Sequence, residues 1–455
     1  MTGARPTVLV VGSGFAGFHA VRGLARRLPP GAAELVLVSP TDYLLYSPLL
    51  PEVASGTIEP RHVAVSLRQA LPTSRTVLGH VTAVDFDQRT VTVSPTDQGD
   101  AAEPRAEHWD RLVLAPGSVT RQFDIPGLAD HAHGIKTITE AQFLRDHLLA
   151  ELDLADGLPD VPGAYEERRE RLTVVAVGAG YTGTETVAQM QRWLHTVAAR
   201  WHRVDPRDVR WLLVDVASSV LPELGPELGE AALDALRRRG IEVRLGVTIE
   251  SATDRSVTLT DGTTVPTRTL IWGAGVTANP LVDTLGLPLD RGRLVVDAQL
   301  RVPDLEHVWA AGDAAAVPDL TAPPATDGAQ PMTPPTAQHA QRQGSTLARN
   351  VAASLGHGRA RRYQHRDLGL VADLGGRDAV AKPLGRNVTG LAAKVVTRAY
   401  HLYALPLAAN RVRVATDWLL AAILPVQAVQ LSGIRASDAL ISTAEHATGG
   451  RSTTS

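Results

Sequence analysis

Two glycine-rich turns in this chain have the spacing that binds the pyrophosphate of a dinucleotide. They lie in VLVVGSGFAG (8–17) and VVAVGAGYTGTE (174–185), each at the end of an apolar strand. In Gly-X-Gly-X-X-Gly the first glycine permits the tight turn, the second admits the phosphates, and the third lets helix and strand pack. A single copy could be any glycine-rich turn, but two copies in this context favour two nucleotide sites. The six glycines are Gly12, Gly14 and Gly17, and Gly178, Gly180 and Gly183.

An acidic residue at the end of the following strand would bind the ribose hydroxyls of such a nucleotide. Asp215 in WLLVDVA has this position after the second turn, although a strand-end carboxylate can also simply face water. A carboxylate there repels a 2′-phosphate, so we expect NADH to be preferred over NADPH. After the first turn the equivalent place in LVLVSPTD holds Ser39, a weaker ribose ligand, with Asp42 slightly later.

The composition excludes several classes of protein. The chain has 455 residues, a net charge of −3 and no cysteine. It therefore lacks the basic excess of a nucleic-acid binder, and it has no disulfides, Cys-X-X-Cys pairs, Cys-ligated zinc or iron–sulfur clusters. The N terminus has no secretion signal, which predicts a chain that starts in the cytoplasm. The longest apolar stretch, 418–434, is interrupted by Pro425, Gln427 and Gln430 and is not expected to span a bilayer.

The order of apolar runs and helix-length stretches predicts an α/β fold with two Rossmann-like units. Strand, glycine turn, helix (near 16–28) and strand occur once at the N terminus and recur with a helix near 182–199. Residues 79–95 and 241–272 alternate as antiparallel meanders would. Residues 317–336, rich in proline and threonine, predict a surface loop, and 445–455 predict a disordered tail.

A third motif identifies the group of proteins that this sequence resembles. HVWAAGDAAAV (307–317) and WDRLVLAPGS (109–118) resemble segments of the two-dinucleotide-binding-domain flavoproteins, although Pro116 replaces the usual threonine. The resemblance implies FAD at the first turn, with Asp313 at its ribityl–phosphate region, and NADH at the second. The implied FAD ligands are Gly12, Gly14, Phe15, Ala16, Gly17, Ser39, Pro48, Leu49, Ala115, Gly117, Gly312, Asp313, Ala337 and Gln338. The implied NADH ligands are Gly178, Gly180, Tyr181, Thr182, Gly183, Glu185, Asp215, Gly273, Ala274 and Gly275.

Without cysteine, the branches of this group that use redox cysteines are excluded, and the sequence is most similar to the type II NADH:quinone oxidoreductases. Three segments carry the similarity: DYLLYSPLLPEVASGTIEP (42–60), TLIWGAGVTANP (269–280) and PPTAQHAQRQG (334–344). The last resembles the family's Ala-Gln helix at the quinone end of the flavin, which implies roles for Gln338 and Gln341. A solvent-facing polar helix is the alternative, and Arg342 departs from the glutamine-rich pattern.

Two ionisable residues are candidates for work at the reacting centre. The resemblance places Glu185, in the first turns of the second glycine-opened helix, where nicotinamide, flavin and quinone meet. A carboxyl group there could pass protons to a quinone, with burial raising its pKa; the alternative is a glutamate that only favours the helix dipole. Lys382 could stabilise a reduced flavin, although a surface lysine is the commoner explanation. We expect no metal and no Ser/His/Asp nucleophile.

The C-terminal region has the pattern of a membrane-surface helix. In 390–405, Lys394, Arg398 and His401 share one arc at 100° per residue, beside an apolar face of Leu391, Val395, Val396, Ala399, Leu402 and Tyr403. Between 384 and 424 five basic residues accompany one acid, Asp417. This pattern predicts binding to a membrane surface, although a dimer interface or a packed core helix would look the same.

These features predict an FAD-containing, non-proton-pumping NADH:quinone oxidoreductase acting on menaquinone or ubiquinone. We expect an FAD domain (1–125 and 290–383), an NAD(H) domain (126–289) and C-terminal membrane-associating helices with the tail (384–455). The resemblance implies a homodimer on the cytoplasmic side of the cell membrane. Two alternatives are a soluble reductase that passes electrons to a ferredoxin or similar protein, and a flavin-bearing NADH sensor.

Overall fold

A computed structural model describes residues 5–96, 103–324, 328, 330–431 and 433–444. The predicted disordered tail, 445–455, lies outside these residues. The helices are α1 (Phe15–Arg27), α2 (Leu50–Ala54), α3 (Pro60–Val63), α4 (Leu67–Ala70), α5 (Leu128–His131), α6 (Ile138–Gly157), α7 (Pro162–Arg171), α8 (Tyr181–Ala198), α9 (Pro226–Arg238), α10 (Ala337–Ser354), α11 (Gly390–Ala404) and α12 (Ala408–Ile423).

The strands fall into eight sheets. They are β1 (Thr7–Val11), β2 (Glu34–Ser39), β3 (Tyr43–Leu45), β4 (Ala64–Ser66), β5 (Arg75–Leu78), β6 (His80–Asp85), β7 (Thr90–Ser94), β8 (Arg105–His108), β9 (Arg111–Leu114), β10 (Ser118–Thr120), β11 (Ala132–His133), β12 (Thr173–Val177), β13 (Arg210–Asp215), β14 (Ile241–Leu245), β15 (Ile249–Ala252), β16 (Ser256–Leu259), β17 (Thr264–Pro266), β18 (Thr269–Trp272), β19 (Val276–Ala278), β20 (Leu289–Asp290), β21 (Arg293–Val295), β22 (Val308–Ala310), β23 (Ala315–Ala316), β24 (Val371–Asp373), β25 (Ala379–Ala381) and β26 (Val388–Thr389).

The first glycine turn lies at the carboxyl ends of the strands of a five-stranded parallel sheet, whose strand order is β22-β9-β1-β2-β5. Its central strand β1 is apolar and almost wholly buried, as a strand covered on both faces must be. Gly12 ends β1 with φ +93°, a conformation that side-chain-bearing residues rarely adopt. The chain can therefore reverse directly into α1, whose apolar face is buried against the sheet.

The second glycine turn lies at the carboxyl ends of the strands of a sheet built on the same plan, with the strand order β11-β18-β12-β13-β14. All five residues of β12 are buried, and Gly178 ends the strand with φ +111°. In the first sheet β1 lies between β2, the next strand along the chain, and β9, which comes much later in the sequence. In the second sheet β12 lies in the same way between β13 and β18. Ligands of open α/β sheets bind at such a switch in strand order, beyond the carboxyl ends of the strands.

The predicted meanders are present, with one correction. Strands β6, β7 and β8 pair antiparallel, as do β15, β16 and β17. The prediction of a meander over the whole of 241–272 is wrong at both ends, because β14 and β18 belong to the parallel sheet. The cause is the exposed position of β14 at the sheet edge, which gives a parallel strand the alternating burial of an antiparallel one.

The C-terminal region folds back over both halves of the molecule. Helix α11 packs on the small sheet β24-β25-β26, and α12 packs on α3. After α12 the chain returns to the second sheet, where Leu440 forms an antiparallel bridge with His133 and Ile441 N donates to Ala132 O over 3.1 Å. In the part of the chain that the structure describes, no helix is long and apolar enough to cross a membrane.

The faces of α11 are oriented opposite to those of a water-facing helix. Its basic arc points inward, with Lys394 and His401 each only 5% exposed. Its apolar face points outward, with Val395 62% and Tyr403 72% exposed, and Ile423 at the end of α12 is 69% exposed. The sequence predicted the two faces correctly, but the charged one faces the protein.

We predict that Gly344→Ala destabilises the half of the protein that carries the first glycine turn. A Cβ at Gly344 in α10 would lie 2.2 Å from the backbone oxygen of Ala16 in α1, so α1 and its glycine turn must shift. Overpacking of this kind costs about 1–3 kcal/mol. Chemical denaturation and the flavin content of the purified protein measure the effect. Gly157→Ala is the control, since a Cβ there meets nothing within 4 Å; equal losses in both variants would contradict the prediction.

Candidate functional site

The first glycine turn opens onto a cleft of about 260 Å³ lined by turn residues and by residues from both halves of the chain, among them Ser13, Pro116, Lys136 and Asn279. A Cβ at Gly14 would meet nothing within 4 Å, so the backbone is open to a ligand there. By contrast, a Cβ at Gly17 would lie 1.9 Å from Gly12 O, where α1 and β1 touch. Gly14 therefore leaves an open position for a pyrophosphate, and Gly17 is a closed position where α1 packs directly on β1, as a dinucleotide-binding turn requires.

Ser39 lies at the end of β2 beside this cleft but is fully buried. Its hydroxyl shares a 2.7 Å hydrogen bond with the Ser13 hydroxyl and donates to Thr41 O over 2.7 Å. Asp42, the later alternative, pairs with Arg68 on the surface at 3.4 Å. The Ser39 hydroxyl thus has partners within the protein, and binding a ribose there would require exchanging one of them.

Asp313 lies in a 3₁₀ turn, Gly312–Ala314, next to Ser118, which lines the cleft. Its Oδ2 accepts a 2.7 Å hydrogen bond from the Ser118 hydroxyl, which Lys136 Nζ also approaches to 3.1 Å. The turn is held by the buried Gln343, whose Oε1 accepts from Gly312 N over 2.8 Å. Sequence reasoning identified Gly312 and Asp313 but missed the three residues that fix them, because their contacts join distant parts of the chain.

The second turn repeats the geometry of the first. A Cβ at Gly180 would meet nothing within 4 Å, whereas one at Gly183 would lie 1.9 Å from Gly178 O. Gly273 approaches the same place, since its Cβ would lie 3.3 Å from the Cα of Gly183. At the start of α8, Tyr181 carries a buried hydroxyl with no hydrogen-bond partner among the described residues. Such an orphaned group indicates a place where a ligand can bind.

Asp215 ends β13 directly below this turn. Its Oδ2 accepts a 2.5 Å hydrogen bond from Ala179 N, and its Oδ1 accepts from Ala217 N over 2.7 Å. Each carboxylate oxygen has further lone pairs, so the two amides orient the group without excluding ribose hydroxyls. The predicted position of an acidic residue at the second turn is therefore filled by an oriented carboxylate.

Helix α10 begins with the Ala-Gln segment, capped by Thr336, whose hydroxyl accepts from His339 N. Gln338 is fixed at both ends of its amide: its Nε2 donates to Gly369 O over 2.9 Å, and its Oε1 accepts from Arg342 Nη1 over 2.6 Å. Arg342, the departure from the glutamine-rich pattern, thus orients Gln338. Ala337 and Gln341 lie half-buried on the same helix.

Glu185 is 8% exposed and lies in a cluster of four ionisable groups and one tryptophan contributed by five elements. Its Oε1 accepts a 2.7 Å hydrogen bond from Asp373 N in β24. Burial raises its pKa well above the ordinary value, and the charges of Asp373 and Glu52 add to the effect, while the Asp373 amide and Lys394 oppose it. The carboxyl group therefore holds its proton to a higher pH than an exposed glutamate does.

The other members of this cluster are Glu52, Asp373, Lys394 and Trp418. Lys394 Nζ contacts Asp373 Oδ1 at 2.5 Å, and Trp418 Nε1 donates to Glu52 Oε2 over 2.5 Å. Burial, together with the charge of Asp373, raises the pKa of Glu52 to about 7. Sequence reasoning singled out neither Glu52 nor Asp373, and it placed Lys394 on the basic arc of a membrane-surface helix.

The remaining candidates lie in two other places. The Nζ of Lys382 would lie 3.8 Å from a Cβ added to Gly225, at the N terminus of α9, so its ammonium faces the half of the molecule that carries the second turn. Pro48 and the buried Leu49 form a 3₁₀ turn, Ser47–Leu49, that leads into α2. Glu52 of the charged cluster lies in α2, so this turn connects the segment after β3 to the cluster.

The geometry defines a class of protein: two separate glycine turns of dinucleotide-binding geometry in one chain without cysteine. The family model described as pyridine nucleotide-disulphide oxidoreductase matches residues 6–344. The chain belongs to this family, although it lacks the cysteines to which the family's name refers.

Individual relatives define the branch. The type II NADH:quinone oxidoreductase NdhA of Mycobacterium tuberculosis is 32% identical over 332 residues, which are 70% of this chain and 68% of NdhA. Ndh of the same organism, also a type II NADH:quinone oxidoreductase, is 31% identical over 88% of this chain and 84% of its own. The structure of NDH2 from Plasmodium falciparum in complex with NADH has a TM-score of 0.83 and covers 94% of this chain and 100% of that one. At 17% identity this last likeness shows the fold alone. Within its family, the chain belongs to the type II NADH:quinone oxidoreductases.

We predict that Lys394→Met destabilises the protein by about 3–5 kcal/mol at pH 7, because it leaves the Asp373 carboxylate buried without its cation. Urea unfolding at pH 7 measures the loss. The double variant Asp373→Asn, Lys394→Met should recover part of the loss; a single variant within about 1 kcal/mol of the wild type would contradict the prediction.

Proposed function

We propose that this protein is an FAD-dependent NADH:quinone oxidoreductase that oxidises NADH at the second glycine turn and reduces a quinone near Glu185 and the Ala-Gln helix. The observation that carries the proposal is the pair of glycine turns, each with an open position for a pyrophosphate, in a chain without cysteine. A chain without redox thiols must pass electrons through a bound cofactor, and FAD supplies hydride acceptance and electron release when it is bound.

The first cleft fits FAD. Gly14 and Gly117 are open to a ligand, since a Cβ at either meets nothing within 4 Å. Asp313 presents an oriented carboxylate to the ribityl–phosphate region. We assign FAD binding to the residues that the resemblance implied and to the half of the chain formed by 1–125 and 290–383, with Ser39 the least secure member because its hydroxyl is already bonded.

The second cleft fits NADH. Gly180 leaves room for the pyrophosphate, and Asp215 is oriented to accept the ribose hydroxyls. Its negative charge opposes a 2′-phosphate, which favours NADH over NADPH. Tyr181, Thr182 and the Gly273–Gly275 segment complete the proposed site, within the half of the chain that spans 126–289.

Glu185 is the proposed proton donor to the quinone. Reduction of a quinone to a quinol takes up two protons, so a neutral acid beside the acceptor lowers the barrier. Because Oε1 accepts from the Asp373 amide, the proton resides on Oε2. Gln338, held by Arg342 and Gly369, orients an amide towards the acceptor, and Gln341 and Lys382 are secondary candidates for contacts in this region.

The exposed apolar faces of α11 and α12 support binding to a membrane surface, where quinones with long tails reside. Contiguous apolar surface of this kind marks an interaction site. We propose a monotopic protein on the cytoplasmic face, without proton pumping; homodimerisation through part of the same surface is compatible with it. The exposed residues of this surface are Leu391, Val395, Tyr403, Val412, Leu419, Leu420, Ile423 and Leu424.

We predict that Glu185→Gln leaves the reduction of bound flavin by NADH within about twofold of the wild type and slows its reoxidation by a menaquinone analogue about 10²–10⁴-fold. Anaerobic stopped-flow absorbance separates the two half-reactions. The wild-type reoxidation rate should fall as the pH rises through the elevated pKa of Glu185, and the variant should lack this decline. A colourless protein, or wild-type flavin that quinone reoxidises no faster than air, would overturn the proposed function and favour a sensor.

We predict that replacing Leu419, Leu420 and Ile423 by serine weakens binding to neutral vesicles by at least about tenfold, because each buried apolar side chain is worth about 1.5–3 kcal/mol. Flotation of the full-length protein measures binding. The matched control replaces Leu154, Val161 and Tyr165, which are also exposed but lie on α6 and α7. Equal binding by both variants would favour a soluble reductase with a protein acceptor.

A further inference from the structure

Five arginines form a continuous strip along three helices that lie beside the apolar surface. Arg22, Arg26 and Arg27 lie in the second half of α1, Arg349 lies in α10 and Arg411 lies in α12. The helices α1 and α10 pack closely, since a Cβ at Gly23 would lie 2.6 Å from the Cβ of Ala348. This packing brings the α1 arginines next to Arg349.

The other end of the strip reaches the turn between α11 and α12. Arg22 Nη2 donates to Pro406 O over 3.4 Å. Arg411 Nε donates to Leu405 O over 2.7 Å, and its Nη2 donates to Tyr403 O over 3.1 Å. Arg22 and Arg411 therefore converge on the same turn, and their guanidinium groups keep donors for a further ligand because each has five.

The arginines of the strip are positive charges that lie close together, and among the described residues no acidic side chain forms an ion pair with them. After burial, the charges of Arg26 and Arg411 lower the pKa of Arg22, and those of Arg349 and Arg26 lower the pKa of Arg27. His19 adds no charge at neutral pH, because burial, with Arg22 and Arg26, lowers its pKa to about 4. Other arginines of the surface are paired: Arg207 with Asp205, Arg238 with Asp378 and Arg255 with Glu170.

The strip is continuous with the exposed apolar face. Tyr403, whose carbonyl accepts from Arg411, is exposed, and so is Val412, the next residue after Arg411. A row of guanidinium groups bordering aliphatic and aromatic side chains matches the layered chemistry of a bilayer, where phosphates lie just outside the acyl chains. Each basic side chain near an anionic membrane contributes a favourable interaction that salt weakens.

We propose that the strip of Arg22, Arg26, Arg27, Arg349 and Arg411 binds the phosphates of anionic phospholipids, so that the protein selects anionic bilayers. The inference rests on the proposed membrane association. It adds a lipid preference and a role for α1, which also carries the glycine turn of the flavin site. Insertion of the apolar side chains binds the protein to any bilayer, and the strip makes it bind anionic bilayers more strongly than neutral ones.

The test compares binding of the full-length protein to two kinds of vesicle, phosphatidylcholine alone and phosphatidylcholine with phosphatidylglycerol. The variant Arg26→Gln, Arg27→Gln, Arg349→Gln removes three charges from the strip. The control variant Arg207→Gln, Arg238→Gln, Arg255→Gln removes three charges elsewhere and gives the same net charge. Oxidation of NADH with a short-chain, water-soluble quinone checks that both variants remain folded and active.

We expect the wild type and the control to prefer the anionic vesicles by at least about tenfold at low salt, and the strip variant to lose most of that preference while still binding neutral vesicles. Raising the salt concentration should reduce the preference of the wild type. Equal losses in both variants would show that net charge alone is responsible and would overturn the proposal. Wild-type protein that binds both vesicles equally would overturn the lipid preference but leave membrane association standing, whereas binding to neither would overturn both.

Discussion

The architecture depends on a small group of buried charges that five elements share. Glu52 from α2, Glu185 from α8 and Asp373 from β24 all interact with the ammonium group of Lys394 from α11, and Trp418 from α12 donates to Glu52. Separating any one element from the others would leave a charge or a polar hydrogen in a medium that cannot solvate it. The group therefore fixes the position of the C-terminal helices relative to the second glycine turn, and burial within it raises the pKa values of the Glu52 and Glu185 carboxyl groups.

Internal repetition explains why one fold holds two nucleotides that behave differently. The two glycine turns have the same open and closed positions, and the seventh residue after the first glycine is ionisable in each helix: His19, half-buried in α1, and Glu185, buried in α8. Burial, with Arg22 and Arg26, lowers the pKa of the His19 imidazole to about 4, whereas burial, with Asp373 and Glu52, raises the pKa of the Glu185 carboxyl well above its ordinary value. The equivalent positions of the two units thus hold groups of opposite charge type, which burial shifts in opposite directions.

Local pattern predicted much of the fold and about half of the site. The glycine turns, the strands that precede them, the helices that follow and the position of Asp215 are all properties of short segments, and α1 and α8 begin within one residue of the predicted starts. The partners that orient the site are not local. Asp373 and Glu185 are 188 positions apart, and Trp418 and Glu52 are 366 apart. Helical periodicity placed Lys394 and His401 on one face of α11, but periodicity cannot state which face meets the protein, because a buried ammonium becomes favourable only once Asp373 is known to lie opposite it.

The return of the chain to the second sheet after α12 has a mechanical consequence. Helices α11 and α12 are anchored at their start by the small sheet β24-β25-β26 and at their end by the bridge between Leu440 and His133. Because both ends of this segment are held, the two helices cannot move away from the rest of the protein as a free C-terminal segment could. Displacing these helices would therefore strain both the edge strand β11 and the buried ion pair of Lys394 with Asp373.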